Sequence, residues 1–458
     1  MSATIHLTGV DVRCHAADCQ PQETRLDGDT LKPRFEAWAK RYEAAVRKGR
    51  PDDLYAIGRE MFDAFDGNGW ASAWVAAPGV RALEIQVDDP RPELAAALLD
   101  APWELLAHKH GYLAEDRSQM FEVLRRIGKP RTPVAPRYGD LKLLFMAAAP
   151  EGEHELDFEA EEAAILEATA PKGVGTRRLH LIVEETGAIG PLRERMLDSG
   201  EPCEVLHLSC HGQIDPQRGP YLALEHPEGG TSYVPAYASD IVHVLPDCDR
   251  TPLVFLSACR TAERADQAAS LMRSTGDAPR PLEPFVRELV RAGIHNALGW
   301  DGSVYDPDAK AFAQYLYGEL AAFRTLPQAV AYARTELLRL HRADAQHGQH
   351  WHLARLYVGP GGGGALALNN GPRRSLPNAL PRDRFLDKAR TLVPVAGRQE
   401  FVGRRRSLQQ VLRAFGRGSA GVLVQGMGNL GKSSLAARIR DRMTGHTPVV
   451  IFRQYDAL

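Results

Sequence analysis

From residue 140 onward, short apolar runs alternate with longer amphipathic ones. The run "DLKLLFMAAAP" (140–150) is apolar throughout and closed by a proline, which predicts a buried strand. "FEAEEAAILEATA" (158–170) repeats its apolar positions at helical spacing. "RRLHLIVEE" reads as a strand, and "IGPLRERMLDSG" as a helix stopped by Gly200. "CEVLHLSC" and "TPLVFLSAC" are two further apolar runs of strand length, and "IHNALGW" is another. "EPFVRELVRAG", "PDAKAFAQYLYGELAAF" and "LPQAVAYARTELLRLHR" read as helices. Such alternation predicts an α/β fold, a mostly parallel sheet with helices on both faces. Before residue 140 the pattern is mixed. "LKPRFEAWAKRYEAAVRKG" and "PDDLYAIGREMFDAF" are helical, "RALEIQV" alternates like a strand, and "PELAAALLDAPWELLAH" reads as helix, turn and helix.

These shifts divide the chain into an N-terminal α+β portion (1–139), the alternating α/β domain (140–360), a flexible linker (361–398) and a last segment (399–458). The linker is expected from "GPGGGGALALNNGPRRSLPNALP", rich in Gly, Pro, Asn and Ser. The last segment holds "GMGNLGKS", a fit to G-x-x-x-x-G-K-[ST], between an expected strand "GVLVQ" and an expected helix "SSLAARIRDRM". In such a loop Gly426, Gly428 and Gly431 let backbone N–H groups close around phosphates. Lys432 would reach the terminal phosphate oxygens and Ser433 would ligate Mg²⁺. No second carboxylate motif follows before Leu458. The segment is therefore expected to be the front part of a partial P-loop NTPase domain, with a sensor region beyond it. ATP and Mg²⁺ are expected only for the complete domain.

Composition narrows the classes. With Lys+Arg 56 against Asp+Glu 58, the net charge is −2, so no overall field draws the chain to nucleic acid or to an anionic membrane. No apolar run is long enough to span a bilayer, and the start lacks a basic region followed by an apolar core. A cytoplasmic location is expected. Six cysteines in 458 residues make no disulfide framework, which leaves thiols available for chemistry.

Chemistry is suggested by two runs that are built alike. "CEVLHLSC" is followed by His211 and Gly212, and "TPLVFLSA" by Cys259. Ligands of open α/β sheets bind outside the carboxyl ends of the strands, so two such strands side by side would aim both side chains into one crevice. They stand 48 residues apart, histidine first, the caspase order and close to its spacing. An imidazole that accepts the thiol proton yields a thiolate able to attack a carbonyl. Gly212, lacking a Cβ, is the natural oxyanion donor, with the Cys259 N–H as a second. Taken singly, a strand-end cysteine is more often a small buried hydrophobe, and a lone histidine there usually satisfies a carbonyl. Zinc is not expected: Cys203 and Cys210 on one strand stand over about 20 Å apart at ~3.3 Å per residue.

Beyond that pair, "LHLSCHG" and "VFLSAC" resemble the two signature segments of the CHAT domain, a caspase- and separase-like clan of cysteine peptidases. "APWELLAHKHGYLAEDRSQMFEVLRR", "PYLALEHPEGG", "ASDIVHVL" and "HWHLARLYVGP" resemble its running pattern over about residues 80–360. The resemblance implies a caspase-like fold with His211 as general base and Cys259 as nucleophile of peptide hydrolysis. It also places Asp301, Asp306 and Asp308 of "GWDGSVYDPD" near the pocket carboxylates that related peptidases use for a basic P1 side chain, although Asp306 and Asp308 equally suit the acidic first turn of the helix near Pro307. "EFVGR" (400–404) resembles the entry segment of the STAND NTPases, the NB-ARC and NACHT group. Together these imply a cysteine endopeptidase acting on a protein substrate, regulated by a nucleotide-binding switch that self-assembles, in a bacterial defence or cell-death system. The alternatives are a catalytically inactive CHAT interaction module and a nucleotide-binding scaffold. No cofactor is expected for the peptidase itself.

Overall fold

The apolar runs at 141–147, 179–184, 205–209, 253–257 and 296–300 are all strands, and all join one sheet. The computed structural model describes residues 2–8, 11–17, 19–151, 156–170, 179–198, 203–215, 217–226, 232–245, 247–258, 284–369, 384–386, 392–396, 401, 403–428 and 430–443. Strands of three or more residues up to Val358 are β1 (Ser2–Thr8), β2 (Asp11–Ala16), β3 (Glu23–Asp27), β4 (Arg81–Val87), β5 (Phe121–Ile127), β6 (Leu141–Ala147), β7 (Leu179–Glu184), β8 (Val205–Ser209), β9 (His211–Asp215), β10 (Gly219–Leu224), β11 (Val234–Ala236), β12 (Leu253–Ser257), β13 (Asn296–Trp300) and β14 (Ala354–Val358). The helices are α1 (Gly28–Lys48), α2 (Pro51–Phe65), α3 (Trp70–Ala76), α4 (Glu93–Asp100), α5 (Phe158–Ala168), α6 (Ile189–Asp198), α7 (Ala238–Val244), α8 (Phe285–Arg291), α9 (Asp306–Ala321), α10 (Leu326–Ala343), α11 (Arg405–Gly416) and α12 (Lys432–Arg442).

Eleven strands run in the order β7-β6-β8-β12-β13-β14-β5-β4-β1-β2-β3. Seven of the ten neighbouring pairs are parallel; the exceptions are β13–β14, β1–β2 and β2–β3. Helices flank the sheet, with α9 packed against both α5 and α10, and α7 against both α6 and α8. The central strands β6, β8, β12, β13 and β14 are buried along their whole length, as continuous apolar runs require when both faces are covered.

The N-terminal α+β portion and the α/β domain share one sheet, because β14 pairs with β5 and the N-terminal strands continue it. Three expectations need correction. In "PELAAALLDAPWELLAH" the second helix is only a 3₁₀ turn, Trp103–Leu105. Pro102 cannot continue a helix, and the Trp103 indole donates back to Leu98 O at 2.7 Å.

The glycine run assigned to the linker is, in its first part, a packed seam. Arg131 N donates to Pro360 O, Val134 N to Gly361 O and Arg137 N to Leu366 O, while Leu366 and Ala367 are buried. A Cβ on Gly362 would lie 2.1 Å from His295 O, so glycine here permits close approach rather than motion. Residues 370–383, 387–391 and 397–398 of the expected linker lie outside the described residues.

The expected strand "GVLVQ" is not formed: residues 421–426 carry no strand, and Leu423 is 71% exposed. A strand forms only against partners, and the neighbouring apolar run 448–452 lies outside the described residues. The helix after the glycine loop does form, as α12, opened by Gly431 in the left-handed region at φ 74°.

Candidate active-site cleft

The topology brings two strand ends together. β8 pairs in register with β12 and with β6, so that Ser209 stands beside both Ser257 and Ala147 at the carboxyl edge of the sheet. Each serine precedes a change of direction. After Ser209 the chain bends at buried Cys210, whose N–H donates to Ser257 O, and then enters β9. His211 opens β9, which runs antiparallel to β10 with His211 opposite Ala223 and Gly212 opposite Leu222. His211 is therefore half-buried at the root of a small sheet of its own, β9-β10-β11, which rises from the edge of the main one.

Beside His211 lies a cleft of about 100 Å³, lined among others by Ser209, Ser257, Asp157, Glu161 and Asp306. Its floor is a polar network. Glu161 on α5 accepts from Ser209 Oγ at 2.8 Å and from Ser257 Oγ at 3.2 Å, and its Oε1 lies 3.3 Å from His207 Nε2. Burial alone would push the Glu161 carboxyl up, but His207 and the two serine hydroxyls hold it below its usual range. His207, fully buried, packs against Phe145 and Phe255, and its Nδ1 lies 3.1 Å from the Tyr317 hydroxyl. One carboxylate thus ties together the two strand ends that precede His211 and Cys259.

The residues singled out in the sequence are placed as follows. His211 borders the cleft, and Gly212 follows it on β9. Cys259 lies outside the described residues; Ser257, two positions earlier, lines the cleft. Asp306 lines the cleft from the first turn of α9. Asp301 does not line it. Its carboxylate is only 10% exposed and pairs with the buried Arg355. Asp308 is engaged elsewhere, accepting from Gly348 N, His350 N and His350 Nδ1.

In the glycine loop, Gly426 adopts φ 152° and Gly431 caps α12. The Lys432 ammonium folds back to donate to Gly426 O at 2.8 Å and Met427 O at 2.5 Å. Gly428 is exposed, and Ser433 is half-buried on α12. None of these residues lines the His211 cleft.

Sequence reasoning missed Glu161, Ser209 and Ser257. The helix pattern put Glu161 and Glu162 on a polar stripe, where charge is ordinarily solvated, yet both are buried. A signal was present: the same Leu-Ser step occurs at the same point of both runs, "HLSC" and "FLSA", as two strands sharing one partner would require.

Residues 77–359 match the family described as CHAT domain. A comparison with curated proteins returned no match. Among solved structures, the chain is similar to the separase of Saccharomyces cerevisiae in complex with securin. The identity is 15% and the TM-score 0.36, over 60% of this chain and 15% of that one. It is also similar to the Arg-specific cysteine proteinase gingipain R, at 8% identity and TM-score 0.37, over 72% of this chain and 74% of that one. Caspase-1 from Spodoptera frugiperda follows at 12% identity and TM-score 0.29, over 51% of this chain and 99% of that one. The chain spans about 15% of the length of the separase.

Proposed function

Because this chain belongs to the CHAT-domain family, we propose that it is a cysteine endopeptidase that uses His211 as base and Cys259 as nucleophile. The observation that carries the reading is the register of β8 on β12: Ser209 beside Ser257, with His211 two residues beyond one and Cys259 two residues beyond the other. His211 takes the thiol proton, and the thiolate adds to the scissile carbonyl carbon. The resulting oxyanion is met by the N–H groups of Gly212 and Cys259. Collapse expels the amine, which leaves with the proton held on His211, and a thioester remains. Water, deprotonated by the same imidazole, hydrolyses the thioester and frees the thiol.

The cleft carries Asp157, Glu161 and Asp306 against Lys310. We assign Asp306 as the carboxylate that favours Arg or Lys at P1, since Asp301 is already matched by Arg355. Residues 426–433 are read as the phosphate loop of a STAND-type switch. There the Lys432 ammonium exchanges its two loop carbonyls for nucleotide phosphates, and assembly of the switch controls a defence protease. That last step rests on architecture alone.

The decisive experiment is activity-based thiol labelling together with cleavage of an Arg-containing peptide library. Cys259→Ala and His211→Ala should each abolish both, and Asp306→Asn should lower turnover of Arg and Lys substrates alone. Activity that survives Cys259→Ala but is lost on replacing another cysteine overturns the dyad. A preference for acidic or large apolar P1 residues overturns the pocket.

A further inference from the structure

The C-terminal segment was expected to hang from a loose linker, yet it is fastened to the rim of the cleft. Arg405, the first residue of α11, is 0% exposed. Its guanidinium pairs with Glu162, donates to Phe158 O at 3.4 Å, and lies over the rings of Phe145 and Phe158. Arg406 donates to Leu156 O at 2.7 Å and lies 3.7 Å from Asp157. Further along α11, Gln409 donates to Ala147 O, and Arg413 donates to Ala149 O and pairs with Glu225. From α12, Arg438 pairs with Glu185, and Arg442 with Glu184 and Glu185.

Two facts give these contacts direction. Leu156, Asp157, Phe158 and Glu161 form one wall of the cleft, and Arg405 and Arg406 hold the first three or their neighbour Glu162. Among the described residues none after Lys310 lines the cleft, so the described part of the segment, α11 and α12, supports that wall from behind and does not fill the space in front of it. The carbonyl of Leu156 lies just before α5, outside the helix ladder, and takes its partner from Arg406, while Phe158 O in the first turn gains Arg405 as an additional donor. Both hydrogen bonds come from a single nitrogen, Nη2, while the guanidinium carbon sits over the Phe145 and Phe158 rings; it is this stacking of a planar, weakly hydrated cation that a lysine ammonium reproduces poorly.

We infer that Arg405 is a positioning residue for the cleft: it fixes the first turn of α5, and with it the placement of Glu161 against the two strand ends. The inference rests on the peptidase reading for its catalytic consequence and on packing alone for its structural one. It assigns the C-terminal segment a supporting role, the opposite of a plug.

The test uses the full chain with Arg405→Glu, Glu162→Arg, the double swap and Arg405→Lys. Hydrogen–deuterium exchange is followed over residues 156–168, with 81–127 as an internal folding control, and kcat and KM are measured on the same peptide. Arg405→Glu should speed exchange in 156–168 at least about tenfold and lower kcat/KM by about 10- to 100-fold, the cost of small misplacement at a reacting site. The swap should restore both in part, through the ion pair alone, because a carboxylate at 405 can neither donate to Phe158 O nor sit over the two rings as a cation; Arg405→Lys should likewise fall short of the wild type. Faster cleavage in Arg405→Glu would make the segment a plug and overturn the inference, as would unchanged exchange in 156–168 with the control intact. If the wild type shows no cleavage while exchange still responds and the swap partly rescues it, the peptidase reading fails and the hold of Arg405 on the wall stands.

Discussion

On one side of the antiparallel seam between β13 and β14, Arg125 of β5 grips Glu104 with both arms, at 2.6 and 2.8 Å, and donates to Leu99 O and Ala101 O. Arg334 approaches the same carboxylate at 3.8 Å, and Arg355 nearby pairs with Asp301. On the other side, Glu161 and Glu162 are consecutive on α5 and equally buried, but they divide their work. Glu161 joins the ends of β8 and β12, and Glu162 receives Arg405 from 243 residues away. The first cluster draws its partners from elements packed on or in the sheet, namely β5, β14, α10, the end of α4 and the turn Trp103–Leu105, so it locks the fold. The second is completed by a segment that arrives last, and it stands at the cleft. Breaking the first should therefore be felt as lost stability, and breaking the second as lost function.

The largest effect is expected from Glu104→Ala. It leaves Arg125 and Arg334 buried without their carboxylate, which should cost about 3–5 kcal/mol in chemical denaturation. Burial would push Glu104 up, but Arg125 and then Arg334 and Arg355 hold it at about 2. Since this lies below the usual 4.5, its contribution is present above pH 4.5 and fades as the pH falls towards 2. The gap between wild type and Glu104→Gln should close over that interval. A loss under about 1 kcal/mol for the alanine variant would erase the contrast between the two clusters.

Glu161→Gln comes next. The amide keeps the shape and can still accept from one serine, so stability should fall by only about 1 kcal/mol. Peptide cleavage should fall about 10- to 100-fold, because the strand ends lose their common anchor. Parallel measurement of unfolding and of kcat/KM separates the cases. A drop in stability as large as that of Glu104→Ala, with kcat/KM unchanged in the folded fraction, would make Glu161 one more lock and remove the distinction.

Much of this contrast could be read from the chain, and the unread part has a physical pattern. Continuous apolar runs announced β6, β8, β12 and β13, because burial on both faces leaves no room for alternation. Their ends announced His211 and its cleft. What stayed hidden were pairings distant in sequence. "ARLYV" became β14, the seam of the sheet, and the glycines after it became a packed edge whose composition looks like a linker. Glu162 and Arg405 are each unremarkable on a helix, and only the fold makes them a pair. Asp301 drew interest as a lone acid after a strand, but its partner Arg355 lies 54 residues on.

The smallest effect tests the first half of the comparison from within. Glu122 lies on β5 three residues before Arg125, and so on the opposite face of the strand; its side chain is mostly buried, and no lysine or arginine of the described residues pairs with it. Burial pushes its carboxyl up to about 7 from 4.5. A raised value means the neutral form suits the fold, so this group's contribution is whole below pH 4.5 and is lost as the pH rises through about 7. Glu122→Gln, which cannot ionise, should match the wild type at pH 4. It should exceed it by about 1 kcal/mol at pH 8, after allowance for partial exposure. Denaturation midpoints at the two pH values measure it. Equal midpoints at both would mean that the charge is met by a cation, and that Glu122, like Glu104, is a paired carboxylate.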